Sequence, residues 1–228
     1  MDYARIEKEA RKLQLELWTR AELKYPIGRP PVLQVFDPGA AAELAGYAYG
    51  TRPYLGNGLP GQGVRFETAG LIDHEHRIIL VSDRLPYEVQ RFTAAHEIGH
   101  MALHPGLRLH RDRPLSGAGA PKGARPLIER EADYFAACFL APAKLVYKAF
   151  TQRFGEPPQA LTHTFAYHLL GQGAHELLSA RTGSLDFEVA LARATRFGNR
   201  GFRSLAQEFG LSTHAMALRL RELKLACY

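Results

Sequence analysis

His96-Glu97-Ile98-Gly99-His100 sits inside residues 91–103, RFTAAHEIGHMAL, and the rest of the chain is placed by reference to it. Leu85-Pro86 precedes the stretch and Pro105-Gly106 follows it, so a helix over about 87–104 is expected. On that helix His96 and His100 are spaced i, i+4 and share a face, one turn apart. Their imidazoles can converge on one ion at about 2.0–2.1 Å, as tetrahedral zinc requires. Glu97 points to the side, where it reaches a water on the metal rather than the metal itself. There it would act as general base toward a water whose pKa the zinc has lowered toward about 7.

A catalytic zinc needs a third protein ligand. A metzincin would continue with Gly at 103 and His at 106, but this chain has Leu103 and Gly106, which excludes that class. His104 lies two turns beyond His96, ~12 Å along the axis, with His100 between them. It is therefore expected behind the ligands or packing the helix end. The next helix, expected over 127–140, offers a better candidate within LIEREADYFAACFLAP (127–142). Glu129 and Asp133 are i, i+4 and share a face, whereas Glu131 points to nearly the opposite side. Ala132, Phe135, Ala136 and Phe139 would pack this helix on the first. On the residues alone, both glutamates could instead form surface pairs with Arg125 and Arg130.

Residues 91–95 (RFTAA), then HEIGH, then Met101-Ala102-Leu103-His104 resemble the ImmA/IrrE family of zinc metallo-endopeptidases, whose pattern is RFT-x-AHE-x-GH-x-x-LH. The family's second block, E-x-E-A-D/N-x-F-A-x-x-L-L-x-P, is matched by 129–142, with Phe139 where Leu is usual and Ala141 where Met is common. The gap between His100 and Glu129 is longer than usual, and the resemblance covers about 64–150. It implies a minimal zincin-like domain: a small sheet, the HExxH helix and a glutamate helix. As in gluzincins, His96, His100 and Glu129 would hold one zinc per chain while Asp133 orients a ligand histidine. It also implies limited cleavage of a transcriptional repressor of the helix-turn-helix kind. Tyr134 and His104 are candidates for stabilising the oxyanion, and a strand beside the HExxH helix could receive substrate as an added β-strand.

Working outward, 2–24 has Ile6, Ala10, Leu13, Leu17 and Ala21 at helical spacing, with Trp18 on the apolar side. A strand is expected at 31–36, a loop at 50–63, and strands at 64–68 and 77–82, with 70–76 part strand and part turn. Residues 105–126, rich in Pro, Gly and Arg, read as a long exposed loop that could gate the site. From 144 to 225 the chain reads as almost wholly helical. The fold class is α+β, mainly helical, with a zincin-like domain over 1–150 and a helical region over 151–228.

Within that region 204–223 resembles a helix-turn-helix. Gly210 makes the turn, Ser212 caps the second helix, and Leu205, Phe209, Leu211, Met216 and Leu220 form the core. Its second helix would present His214, Arg219, Arg221 and Lys224, with Arg193, Arg196, Arg200 and Arg203 upstream, a pattern that suits a phosphate backbone. A plain packing unit explains the same residues. The alternative function is thus a DNA-binding regulator with a structural or vestigial metal site; another is a protein that binds a repressor without cutting it.

Composition sets the outer bounds. The 228 residues are 46% hydrophobic and 23% charged, with a net charge of +6, so a globular chain with a basic surface is expected. Two cysteines, Cys138 and Cys227, exclude a disulfide framework or a four-cysteine zinc site. The first residues, MDYARIEKEARK, hold no apolar leader, and the longest apolar stretch, 134–141, is far below the roughly 20 residues of a membrane span. A cytoplasmic location with no membrane partner is expected. His74 and His76 are expected exposed at a strand turn, Tyr47, Tyr49 and Tyr54 at core edges, and Cys138 as a small buried hydrophobe.

Overall fold

The computed structural model describes residues 1–24, 31–56, 68–106, 109–112 and 125–227. They form two compact units, Met1–Leu140 and Ala141–Tyr228. No described helix is long and apolar enough to cross a membrane.

The first unit begins with α1 (Tyr3–Lys24), α2 (Val32–Val35) and α3 (Pro38–Leu44), followed by β1 (Ala48–Arg52), β2 (Gly70–Asp73) and β3 (Ile78–Ser82). Then come α4 (Tyr87–Leu103), β4 (Leu109–Asp112) and α5 (Leu127–Leu140). The sheet order is β1-β3-β2-β4. β1 runs parallel to β3 with Ala48 opposite Ile78, and β2 runs antiparallel to β3 with Leu71 opposite Leu80. β4 closes the other side antiparallel to β2, with Leu71 opposite Arg111. Alternation along β2 and β3 buries Ile72, Ile79 and Val81 completely. Asp73 Oδ1 accepts from the amides of Glu75 and His76, each at 3.0 Å, and fixes the turn between these strands.

α4 packs on β2 and β3, and α5 packs on α4. Their close approach depends on Gly99: a Cβ there would stand 3.0 Å from Ala132 Cα and 3.1 Å from its carbonyl oxygen. Around this crossing Ile98, Ala132, Phe135, Ala136 and Phe139 are fully buried. Side chains from elsewhere in the chain satisfy backbone groups that a helix leaves unpaired at its ends. Arg5 donates to the Leu103 carbonyl at the end of α4 (3.1 Å). Gln14 Nε2 donates to the Cys138 and Phe139 carbonyls at the end of α5 (2.8 and 3.0 Å). Arg91 donates to the Phe36 carbonyl (2.7 Å), and burial pulls its guanidinium pKa below the ordinary value.

Three expectations change here. Residues 31–36 are not a strand: they hold α2, and Asp37 caps α3 by accepting from the Ala40 amide at 2.9 Å, with Pro38 in the first turn. A six-residue stretch such as PVLQVF is too short for its period to separate helix from strand. The loop expected from 50 onward starts later, because β1 extends through Arg52 by pairing with β3. The loop expected over 105–126 contains β4, a strand produced by pairing with β2 rather than by local propensity. Of the strand expected at 64–68, Thr68 is described and lies in no strand, and 64–67 lie outside the described residues, as do most of the two long loops.

The second unit runs α6 (Ala143–Phe154), β5 (Gln159–Ala160), α7 (His163–Leu170), a 3₁₀ turn (Gly171–Gly173), α8 (Ala174–Leu178) and α9 (Asp186–Arg193). It continues with β6 (Arg196–Phe197), β7 (Arg200–Gly201), α10 (Leu205–Phe209), α11 (Thr213–Glu222) and β8 (Ala226–Cys227). The region expected as almost wholly helical also holds the short pairs β5–β8 and β6–β7, the second of them at the break in helix expected near 198–201. Ser204 and Gln207 form a reciprocal capping box on α10, Gly210 turns the chain at φ 62°, and Ser212 caps α11. Leu205, Phe209, Leu211, Met216 and Leu220 are buried between these helices.

Candidate metal centre

Two helices build the site. α4 carries His96, Glu97 and His100 on its buried length, all at 0% exposure. α5 brings Glu129 to them at 8%. Ligand atoms of His96, His100 and Glu129 all lie within 4.8 Å of one another. The two Nε2 atoms are 3.0 Å apart, His96 Nε2 is 3.3 Å from Glu129 Oε2, and His100 Nε2 is 3.7 Å from Glu129 Oε1. Ligand atoms sharing a tetrahedral zinc at about 2.0–2.1 Å stand roughly 3.3 Å apart. Two neutral imidazoles and one carboxylate are also the donor set a catalytic zinc takes. The residues therefore fit a zinc ion.

Both candidate ligand histidines are held from behind. His96 Nδ1 bonds Asp133 Oδ1 at 2.9 Å, so the ring's other nitrogen faces the cluster. Asp133 Oδ2 accepts from Arg125 at 2.7 Å, and a second Arg125 nitrogen lies 3.5 Å from Glu129 Oε2. That guanidinium balances the two carboxylates on this flank of α5. His100 Nδ1 lies 3.1 Å from His104 Nδ1, and His104 Nε2 is 3.0 Å from Glu131 Oε2.

Glu97 is placed by the sheet. β2 runs past it with no side chain at Gly70, where a Cβ would come within 2.6 Å of Glu97 Oε1. Gly70 and Gly99 are the positions that sequence reasoning missed. Their only signal is a glycine where a strand or helix pattern would favour a side chain.

Other candidates lie elsewhere. The Tyr134 hydroxyl donates to Glu7 at 2.5 Å and its ring meets Tyr3 edge-on at 4.8 Å. Burial, then the Glu7 bond, raises its pKa, which keeps it a phenol. His74 Nδ1 lies 2.9 Å from the Tyr47 hydroxyl, and exposed His76 bonds Asp73. Cys138 is buried. In the helix-turn-helix-like pair, Arg219 is not presented to solvent. It is 3% exposed and donates to the Ala141 carbonyl and to Glu222. Arg221 makes a two-pronged pair with Glu188 at 2.8 and 3.0 Å. Arg200 and Arg203 donate to the Gln152 and Gln207 carbonyls, while His214 and Lys224 are exposed. Only part of the expected basic face is left for a phosphate backbone.

A buried helix bearing two histidines and a glutamate, met by a carboxylate from a second helix beside a small sheet, is the arrangement expected of a zincin-like domain. Residues 61–165 match the family described as the IrrE N-terminal-like domain. That match covers just under half of the chain and makes this region similar to the ImmA/IrrE metallopeptidases. The chain is similar to the radiation response metalloprotease IrrE of Deinococcus radiodurans, 35% identical over 129 residues, or 54% of this chain and 38% of that protein. It is also similar to the protein of that name from Deinococcus deserti, 35% identical over 111 residues, or 47% of this chain and 38% of the relative. The aligned region thus spans well under half the length of either relative.

Proposed function

We propose that this chain is a zinc-dependent endopeptidase in which His96, His100 and Glu129 hold one zinc and Glu97 is the catalytic base. The observation that carries this reading is the convergence of the three ligand groups beside a fully buried Glu97. A zinc bound there would polarise the scissile carbonyl, stabilise its developing negative charge and acidify the attacking water. Glu97 accepts the proton of that water and delivers it to the leaving amine. The buried setting excludes bulk water, which strengthens the interaction of Glu97 with the reacting atoms. Asp133 holds His96 in the tautomer that turns Nε2 inward, and Arg125 holds Asp133.

The substrate we propose is a helix-turn-helix transcriptional repressor, cleaved at a limited site in a stress-response, prophage or toxin–antitoxin circuit of the cytoplasm. Family resemblance supports it, together with the radiation-response role named for the relatives. The engagement of Arg219 and Arg221 within the second unit favours a packing role for the helical pair over DNA reading.

The test is Glu97→Gln. Wild-type protein loaded with zinc is incubated with the helix-turn-helix repressors of the same genome, and new chain termini are read by mass spectrometry. Cleavage by wild type, abolished in Glu97→Gln while about one zinc per chain is retained, is the expected result. Repressor binding without new termini would make the chain a sequestering partner and not a peptidase.

A further inference from the structure

The structure assigns Glu131 and His104 as positioning residues for His100: the Glu131 carboxylate sets the tautomer of His104, and His104 sets that of His100. This rests on the metal-site reading above.

The geometry starts at the end of α4. His104 is its C-cap residue, with φ −128° and ψ 54°, so the chain leaves the helix there. Its ring lies alongside that of His100, with centroids 5.2 Å apart. One ring nitrogen meets His100 Nδ1 at 3.1 Å and the other meets Glu131 Oε2 at 3.0 Å. The three side chains are largely enclosed: 0% exposed for His100, 11% for His104 and 18% for Glu131.

Proton bookkeeping then runs in one direction. An ionised carboxylate only accepts, so His104 must carry its hydrogen on Nε2. In the neutral ring Nδ1 is then an acceptor, and the contact with His100 is a hydrogen bond only if His100 Nδ1 carries the hydrogen. That leaves His100 Nε2 with a bare lone pair, aimed at His96 and Glu129. With the opposite tautomer, a hydrogen on His100 Nε2 would point into the ligand cluster and block the metal. His96 obtains the same result directly, from Asp133 at 2.9 Å. His100 needs an intermediary because its carboxylate lies on the other flank of α5. At about 100° per residue Glu129 and Glu131 are some 200° apart around that helix. They straddle the packed face of Ala132, Phe135 and Ala136; Asp133, on the Glu129 side, serves His96, and Glu131, on the other, serves His100 through His104.

The experiment reads the rings first and the metal second. Long-range proton–nitrogen NMR of the zinc-free full chain, held above the imidazole titration range, reports which nitrogen of His104 is protonated. Wild type should show the hydrogen on Nε2. Glu131→Ala and the bulk-retaining Glu131→Leu should release His104 to a mixture of tautomers. Glu131→Gln should restore the wild-type pattern, because its amide oxygen accepts the same bond. Zinc affinity by chelator competition should fall about 10–100-fold in Glu131→Leu and His104→Ala and stay near wild type in Glu131→Gln. A wild-type His104 protonated on Nδ1 would overturn the assignment. So would Glu131→Leu with unchanged ring signals, or a Gln variant as impaired as the Leu variant. If wild type takes up no zinc, the peptidase reading fails while the ring signals still decide the relay.

Discussion

Gly70 of β2 and Glu97 of α4 occupy neighbouring space that a single carbon would fill: a Cβ on Gly70 would stand 2.6 Å from Glu97 Oε1 and 2.6 Å from Thr93 Cγ2. The sheet thereby sets the place of the carboxylate, and the first prediction follows. Gly70→Ala forces Glu97 aside without touching a metal ligand. Zinc content should stay at wild type while cleavage falls by about 100-fold, the cost of a misplacement of roughly 1 Å in a reacting group. Metal analysis beside a cleavage rate checks it, and an unaltered rate would show that Glu97 needs no such placement.

Metal binding should stabilise the first unit. Zinc at one hundred times its dissociation constant adds about 2.7 kcal/mol to any fold that binds it only when native. The unfolding transition should therefore move up on zinc addition and return with a chelator. Glu129→Ala removes the carboxylate from the cluster and should abolish the shift, which differential scanning calorimetry reads directly.

Asp133 bridges His96 and Arg125. Asp133→Ala should weaken zinc binding by about 10–100-fold, since the ring of His96 loses its orienting partner. Asp133→Asn retains an oxygen for His96 Nδ1 and should lose less. Chelator competition ranks the two, and equal affinities for Ala and wild type would remove Asp133 from the site.

Gly99→Ala tests the helix crossing. The added methyl meets the backbone of Ala132 at 3.0 Å, and that backbone cannot swing away as a side-chain tip could. Overpacking of this kind costs about 1–3 kcal/mol, to be read from urea denaturation of the zinc-free chain.

Arg219 separates packing from DNA reading in the second unit. Arg219→Met withdraws the donor from the Ala141 carbonyl and should destabilise that unit by about 1–3 kcal/mol. Retention of duplex DNA at low salt should not change. A loss of DNA affinity with unaltered stability would reverse the conclusion.

Much of this was legible before any coordinates. The pentamer and the Glu129/Asp133 pair lie on helices whose limits are punctuated by proline, so local spacing places each group on a helix face. The capped turn at Gly210 and Ser212 was legible for the same reason, since caps and left-handed glycines act within a few residues. β1 and β4 were not, because an edge strand exists by pairing with a distant partner and carries little local signal. Arg219 misled for a related cause: charge is visible in a sequence, but the carbonyl that buries it is not.

The sequence by itself determined most of the helices and the residue types at the candidate ligand positions. These follow from periodicity, capping and motif spacing, all of them short-range. Only the tertiary structure decided that Glu97 faces Gly70 of β2 and that Glu131 reaches His100 through His104. Those relationships join residues far apart in the chain. They arise because α5 crosses α4 at Gly99 closely enough for side chains on both flanks of one helix to reach the other.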